Sequence, residues 1–185
     1  MTPRRAAGPR LSPDHGATSQ VSLEQRQRAR RGGGESERVV SKVIYVLNGP
    51  NLNLLGEREP EIYGRHTLAD VETLCRAEAD RHGLTLIFRQ TNREYEMIDW
   101  LQDARGAAGI VINPAGFSYH SVPILDALKA CACPIIEVHI SNIHRRDEAW
   151  RADSLMTAAS TGMICGLGID GYSLAVHCLA GRIAA

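Results

Sequence analysis

The sequence predicts an α/β fold: a flavodoxin-like three-layer sandwich with a five-stranded parallel sheet. Three observations point there. Short runs rich in β-branched residues alternate with stretches of helical periodicity in the order βαβαβαβ…βα, which favours a parallel sheet covered on both faces. About 145 residues follow a polar amino-terminal tail, a length that suits one doubly wound unit with right-handed crossovers. Polar residues gather just after the apolar runs, at the edge where such sheets bind ligands.

The first strand is the apolar run Val43–Leu47, which Gly49 and Pro50 bring to an end. Thr67 caps a helix in which Leu68, Val71, Leu74 and Cys75 recur at helical spacing, and Gly83 marks its end. Leu84–Phe88 reads as the second strand. Glu94–Ala104 is helical, with Met97, Ile98 and Leu101 on one face. Gly109–Ile112 is the third strand. Ser121–Ala130 is a helix whose Pro123 is tolerable only in the first turn. Pro134–Val138 and Met163–Gly166 are the last strands, and Tyr172–Ile183 the last helix.

Apolar residues make up 44% of the chain, enough for a core, and the net charge is zero. That charge is unevenly spread. Residues 1–38 carry eight arginines against four acidic residues, +4, which leaves −4 on residues 39–185. A mildly acidic body argues against nucleic acid as a partner. Residues 1–38 are poor in large apolar side chains and contain the triplet Gly32–Gly34, so they are expected to be a disordered extension or an over-called translation start. Residues 39–185 are expected to form a single domain. No apolar run approaches the roughly 18–20 residues of a membrane helix, so no membrane association is expected. Five cysteines without zinc spacing (Cys131 and Cys133 form CxC) read as reduced thiols that mostly fill core space, as in a cytoplasmic protein.

The residues just beyond the strands carry the chemistry. After the first strand come Asn48 and Asn51. After the third come Asn113, Pro114, Ala115 and Gly116, then Ser118, Tyr119 and His120. After the fourth come His139, Ser141, Asn142 and His144. Parallel strands share a direction, so these groups are expected to converge on one crevice that suits a small hydroxylated ligand. Asn51 and Asn113 are also ordinary turn residues. Glu137 is unusual in mid-strand, because a buried carboxylate needs a partner. It lies two residues from His139, on the same face of the strand. A carboxylate beneath an imidazole holds its tautomer and favours the protonated ring, which points to catalysis by His139.

Arg58 and Tyr63 form the other pair. A guanidinium favours the phenolate and lowers a phenol's pKa, so Tyr63 is a candidate general base. No GxGxxG follows the first strand, and GxxxxGK[ST], HExxH and GxSxG are absent, so nucleotide binding has little support and serine-hydrolase chemistry none; Gly166-Leu-Gly168 reads as a tight strand-to-helix turn, and no cofactor or metal is expected.

The segments NGPNLNLLGEREPEIYG (Asn48–Gly64), NPAGFS, EVHISNIHRR and TGMICGLGIDGY together resemble type II 3-dehydroquinase, from about Val43 to the carboxyl end. The resemblance implies a flavodoxin-like lyase, assembled as a dodecamer of trimers. Such a lyase dehydrates 3-dehydroquinate to 3-dehydroshikimate through an enolate, without metal or Schiff base, in shikimate biosynthesis or quinate catabolism. It implies Tyr63 as base, Arg58 as the lid arginine that keeps Tyr63 ionised, Asn51 as the residue that orients a water at the enolate, and His139 as general acid supported by Glu137. Asn113 and the backbone of Ile140 and Ser141 would bind substrate, and Asp126 would reach a neighbouring subunit's site.

Two departures from the family pattern stand out. The family usually reads Asn-Pro-Gly-Ala, an aromatic, Thr and His, whereas here Tyr119 holds the position of the substrate-binding histidine and His120 follows it. Either Tyr119 replaces that hydrogen bond or the loop shifts to present His120. The segment after His144 is one residue longer, so the carboxylate-binding arginine falls on Arg146 or Arg151. The alternatives are a paralogue that acts on, or only binds, a related cyclic hydroxy acid, and a flavin-binding module, for which the first loop lacks a phosphate-binding pattern.

Overall fold

The computed structural model describes residues 42–57, 65–146, 150 and 152–184. The strands are β1 (Val43–Asn48), β2 (Thr85–Gln90), β3 (Gly109–Asn113), β4 (Ile135–His139) and β5 (Gly162–Cys165). They form one sheet in the order β2-β1-β3-β4-β5, and every pairing is parallel. The longer helices are α1 (Leu68–Arg81), α2 (Glu94–Asp103), α3 (Val122–Lys129) and α4 (Asp170–Ala184). The described residues fall within one compact unit, Val40–Ala185, and the 1–38 extension lies outside them. No described helix is long and apolar enough to cross a membrane.

The two-residue period of the strands divides the core. Ile44, Val46, Val111, Ile136 and Val138 pack with α1 and α4 on one face. Leu47, Ile110, Ile112 and Ile135 pack with α2 and α3 on the other. The result is the expected three-layer sandwich of flavodoxin-like strand order. Glu137 and His139 share the second face, since they alternate with Ile136 and Val138. The short 3-10 helix Leu155–Ala159 buries Met156 on that face and supports them from outside.

Local signals in the sequence account for the ends of α1. Thr67 accepts a hydrogen bond from the Asp70 amide, and the Asp70 carboxylate accepts one from the Thr67 amide, a reciprocal capping box. At the other end Gly83 adopts φ +64, the Gly83 amide bonds to Asp80 and the Leu84 amide to Ala79. This is the Schellman pattern that a glycine permits. Burial pushes the Cys75 thiol up to about 12, in keeping with a thiol that fills core space; Cys131 and Cys133 pack partly buried against the core, Cys165 is half-buried, and Cys178 departs from the expectation by being exposed.

Three strands run one residue beyond their apolar runs, and β2 runs two beyond Phe88. Asn48, Asn113 and His139 are therefore the last strand residues rather than the first loop residues. The ladder carries them regardless of polarity: Asn48 registers with Asn113 on one side and with Gln90 on the other. β5 stops at Cys165 because Gly166 turns to φ +85, and α4 begins at Asp170, two residues earlier than its apolar face.

Candidate functional site

The strand order reverses about β1, so the loops leaving β1 and β3 diverge at their carboxyl ends. A crevice of about 280 Å³ opens there. The β1 loop contributes Pro50, Asn51 and an apolar wall of Leu52, Leu54 and Leu55. The end of β3 contributes Asn113, Ala115, Gly116 and Tyr119. The end of β4 contributes His139, Ile140 and Ser141, with Arg146 beyond them. The mixture of an apolar wall and convergent polar groups suits a small polar ligand.

Gly49 allows the two loops to meet. Its amide donates to the Asn113 carbonyl at 2.8 Å, and a Cβ there would lie 2.2 Å from the Pro114 carbonyl oxygen. Asn51 sits at φ +66 at the start of the 3-10 helix Leu52–Leu54. Its side chain makes no capping bond, and its backbone amide donates to Asn92 Oδ1 at 2.8 Å. The turn reading of Asn51 therefore holds for its backbone, and the residue also lines the crevice.

His139 and Glu137 form a buried pair. His139 Nε2 lies 2.7 Å from Glu137 Oε1, and both side chains are buried. Thr157 donates to the other carboxylate oxygen at 2.7 Å. Burial on its own would push Glu137 up, but hydrogen bonds from His139, Ser154 and Thr157 together outweigh it and hold the carboxyl below its usual range. With Nε2 committed to Glu137, Nδ1 is the ring nitrogen left for the crevice.

Asn113 rests on a buried network. Its Nδ2 donates to the Tyr172 hydroxyl at 2.8 Å, and that hydroxyl donates to Asn48 Oδ1 at 2.7 Å. Asn48 in turn donates to the Arg89 carbonyl. Full burial raises the Tyr172 phenol far above its ordinary value, so it is a neutral donor. Asn113 Oδ1 accepts from the Ala115 amide, which leaves one Nδ2 proton for the crevice.

Arg146 bridges the far wall. It donates to the Tyr119 hydroxyl at 3.3 Å and to Ser141 Oγ at 3.0 Å. The Tyr119 ring meets Trp150 edge to face, with centroids 5.2 Å apart. Tyr119 thus lines the crevice, while its neighbour His120 is exposed and does not. Asp126 is exposed on α3, also outside the crevice of its own chain.

Of the expected site residues, Asn51, Asn113, Tyr119, His139, Ile140, Ser141 and Arg146 meet in this crevice, with Glu137 directly behind His139. Arg58, Tyr63 and Arg151 lie outside the described residues. Four further neighbours expected at this edge take no part in the lining, the exposed His144 among them. Asn48 is turned into the core, Ser118 bonds back to the Ala115 carbonyl, and Asn142 accepts from the His144 amide. Sequence reasoning missed Thr157 and Tyr172, which contact the site from 20 and 59 residues away and carry no local signal.

A family model described as Dehydroquinase class II matches residues 42–180. Among curated relatives, the 3-dehydroquinate dehydratase 2 of Agrobacterium fabrum is 60% identical over 133 residues, 71% of this chain and 90% of that protein. The 3-dehydroquinate dehydratase of Acidovorax ebreus is 49% identical over 147 residues, 76% of this chain and 99% of that protein. The crystal structure of a type II dehydroquinase from Propionibacterium acnes matches with a TM-score of 0.73 at 45% identity, covering 77% of this chain and 98% of that one.

Proposed function

The chain belongs to the class II dehydroquinase family, and we propose that it is a hydro-lyase converting 3-dehydroquinate to 3-dehydroshikimate. The observation that carries this reading is the buried Glu137–His139 pair opening on a polar crevice at the switch point of the sheet. The reaction removes a proton from C2 and hydroxide from C1, and releases water. It needs a base, a place for the negative charge that develops on the C3 ketone oxygen, and an acid for the leaving hydroxyl.

In this reading Tyr63 takes the C2 proton and Arg58 holds it as the phenolate. The Asn51 carboxamide, uncommitted to its own turn, orients a water against the enolate oxygen. His139 delivers the Nδ1 proton to the departing C1 hydroxyl, so that the C1–O bond breaks and water leaves. Glu137 accepts the Nε2 proton's hydrogen bond and fixes the ring in the orientation that aims Nδ1 outward. The remaining proton of Asn113 and the Ile140–Ser141 backbone bind ring hydroxyls and carboxylate. Arg146, already held by Tyr119 and Ser141, supplies a positive charge for that carboxylate. Arg151 is the alternative carboxylate ligand. Tyr119 supplies a hydroxyl where the family usually has a histidine, and one exchanged neutral hydrogen bond costs about 0.5–1.5 kcal/mol, threefold to tenfold in affinity.

The activity is assigned to residues 39–185. Assembly as a dodecamer of trimers, in the cytoplasm, completes the proposal. The exposed Asp126 suits a contact with a neighbouring subunit, and the five free thiols suit a reducing compartment. The test is to mix the protein with 3-dehydroquinate and follow the ultraviolet absorbance of the conjugated enone, with and without a chelator. Turnover that survives the chelator and disappears in Tyr63→Phe is the expected result. No turnover by the assembled protein would redirect the search to other cyclic hydroxy acids or to ligand binding without chemistry.

A further inference from the structure

A second cluster of ligating side chains lies on the α1–α4 layer, and none of its members lines the crevice. Glu78 lies in the last turn of α1, His82 four residues on is the residue that caps the helix's carboxyl end, and His177 faces them from α4. We propose that Glu78, His82 and His177 bind one divalent transition-metal ion of the zinc type, clamping α1 to α4.

The geometry converges on a single atom. His82 Nε2 lies 3.0 Å and His177 Nδ1 2.9 Å from the same carboxylate oxygen, Glu78 Oε1. All three donor atoms lie within 4.8 Å of one another. A tetrahedral zinc ion, with bonds of about 2.0–2.2 Å, separates its ligand atoms by roughly 3.3 Å. The two histidine contacts to Oε1 are within a few tenths of that spacing. The wider gap between the rings, which meet edge on with centroids 5.3 Å apart, closes by rotating two side chains that reach solvent.

The surroundings suit an ion as well. Arg81 donates to the other carboxylate oxygen, Oε2, so Glu78 has an outer partner that orients it and leaves Oε1 directed at the histidines. Glu78 is buried, whereas the His177 side chain is 64% exposed, which gives an ion an entry path and room for a completing water. Two imidazoles and one carboxylate favour zinc, copper or nickel over magnesium or calcium, which prefer oxygen.

The proton balance is simple. Without metal each neutral ring donates an N–H to Oε1. On binding, His82 moves its proton to Nδ1 and His177 to Nε2, so the lone pairs of His82 Nε2 and His177 Nδ1 face the ion, with no change of oxidation state. The clamp would join two helices that meet only in the folded chain, so metal would stabilise the native state by mass action.

The experiment uses the full-length, untagged, chelator-treated protein. Zinc binding is measured by isothermal titration and the thermal midpoint is recorded with ZnCl2 and with MgCl2. One zinc per chain and a midpoint raised by several degrees, with no response to magnesium, is expected. His177→Ala and His82→Ala should each weaken binding at least tenfold and abolish the midpoint rise, while His66→Ala, outside the cluster, should behave as the parent. Melting curves without metal establish that each variant is folded, and His177, exposed on its helix, is the substitution the fold tolerates most easily. Absence of zinc binding to the parent, or equal binding by the parent and His177→Ala, would overturn the site.

Discussion

Among the described residues, glutamate–histidine contacts of nearly equal length occur in two very different settings. Glu137 and His139 touch at 2.7 Å inside the sheet, both buried, at the carboxyl end of β4. Glu78 touches His82 and His177 at 3.0 and 2.9 Å on the helical layer, with His177 largely in solvent. In both places hydrogen bonds lower the carboxyl's affinity for its proton. The difference lies in what the rest of each ring meets. His139 has one nitrogen committed and its other edge toward a crevice, so it can move a proton to a ligand. His82 and His177 turn toward one shared oxygen, so together they can grip but have no substrate to act on. The pair of residue types does not define a function; burial and the direction of the second nitrogen do.

The largest effect should separate the two histidines. His139→Ala should lower kcat about 10²- to 10⁴-fold, the usual worth of a general acid, while His177→Ala leaves kcat unchanged, as measured by enone formation at saturating substrate. Glu137→Gln is the next sharpest test. It should cost roughly 10- to 100-fold in kcat, because the ring loses the anion that orients it. It should also cost stability, about 1–3 kcal/mol at neutral pH, since a hydrogen-bonded charge is removed from a buried site. The folded-state pKa of Glu137 is depressed. Its contribution is therefore fully present above the unfolded value of about 4.3 and is lost as pH falls through the lower folded value. Urea midpoints of parent and variant should differ by a constant amount from pH 7 to 5 and converge below about pH 4.

A moderate effect concerns the floor beneath the crevice. Tyr172→Phe leaves the Asn48 carbonyl and an Asn113 N–H without their shared partner, at a cost of about 1–3 kcal/mol in denaturant unfolding. The helical cluster has no such floor, so the same measurement on His177→Ala in the absence of metal should show a smaller loss. The smallest effect is a gain. Ala115 is held at φ +49, which costs a residue with a Cβ about 1–2 kcal/mol, whereas a Cβ on Gly116 would meet Pro50 at an ordinary 3.6 Å. Exchanging the two, Ala115→Gly with Gly116→Ala, should raise stability by about 1 kcal/mol in the same unfolding assay.

These two regions also mark what the sequence could tell. Glu137 was legible because a carboxylate in an apolar strand demands a partner, and the two-residue period names His139 as that partner. The Thr67 cap and the Gly83 stop were legible because helix ends depend on local hydrogen bonds. The Glu78–His177 contact spans 99 residues and the Tyr172–Asn48 contact 124, and no local pattern encodes either. Asn48 misled for the same reason: it ends a strand at the ligand edge, as Asn113 does, yet its side chain is taken by a tyrosine from the last helix. The choice between Tyr119 and His120 depended on the Pro114–Tyr119 loop, where Ala115 takes the left-handed turn. In the resulting loop Tyr119 bonds to Arg146 and packs on Trp150.

The most direct measurement is the conversion of 3-dehydroquinate by the chelator-treated parent, His139→Ala and His177→Ala, side by side. Equal turnover by the parent and His177→Ala, with His139→Ala slower by at least about 100-fold, is the result predicted for a dehydratase whose acid lies at the end of β4. Turnover by His139→Ala at the parent's rate, or none by the assembled parent, would contradict it.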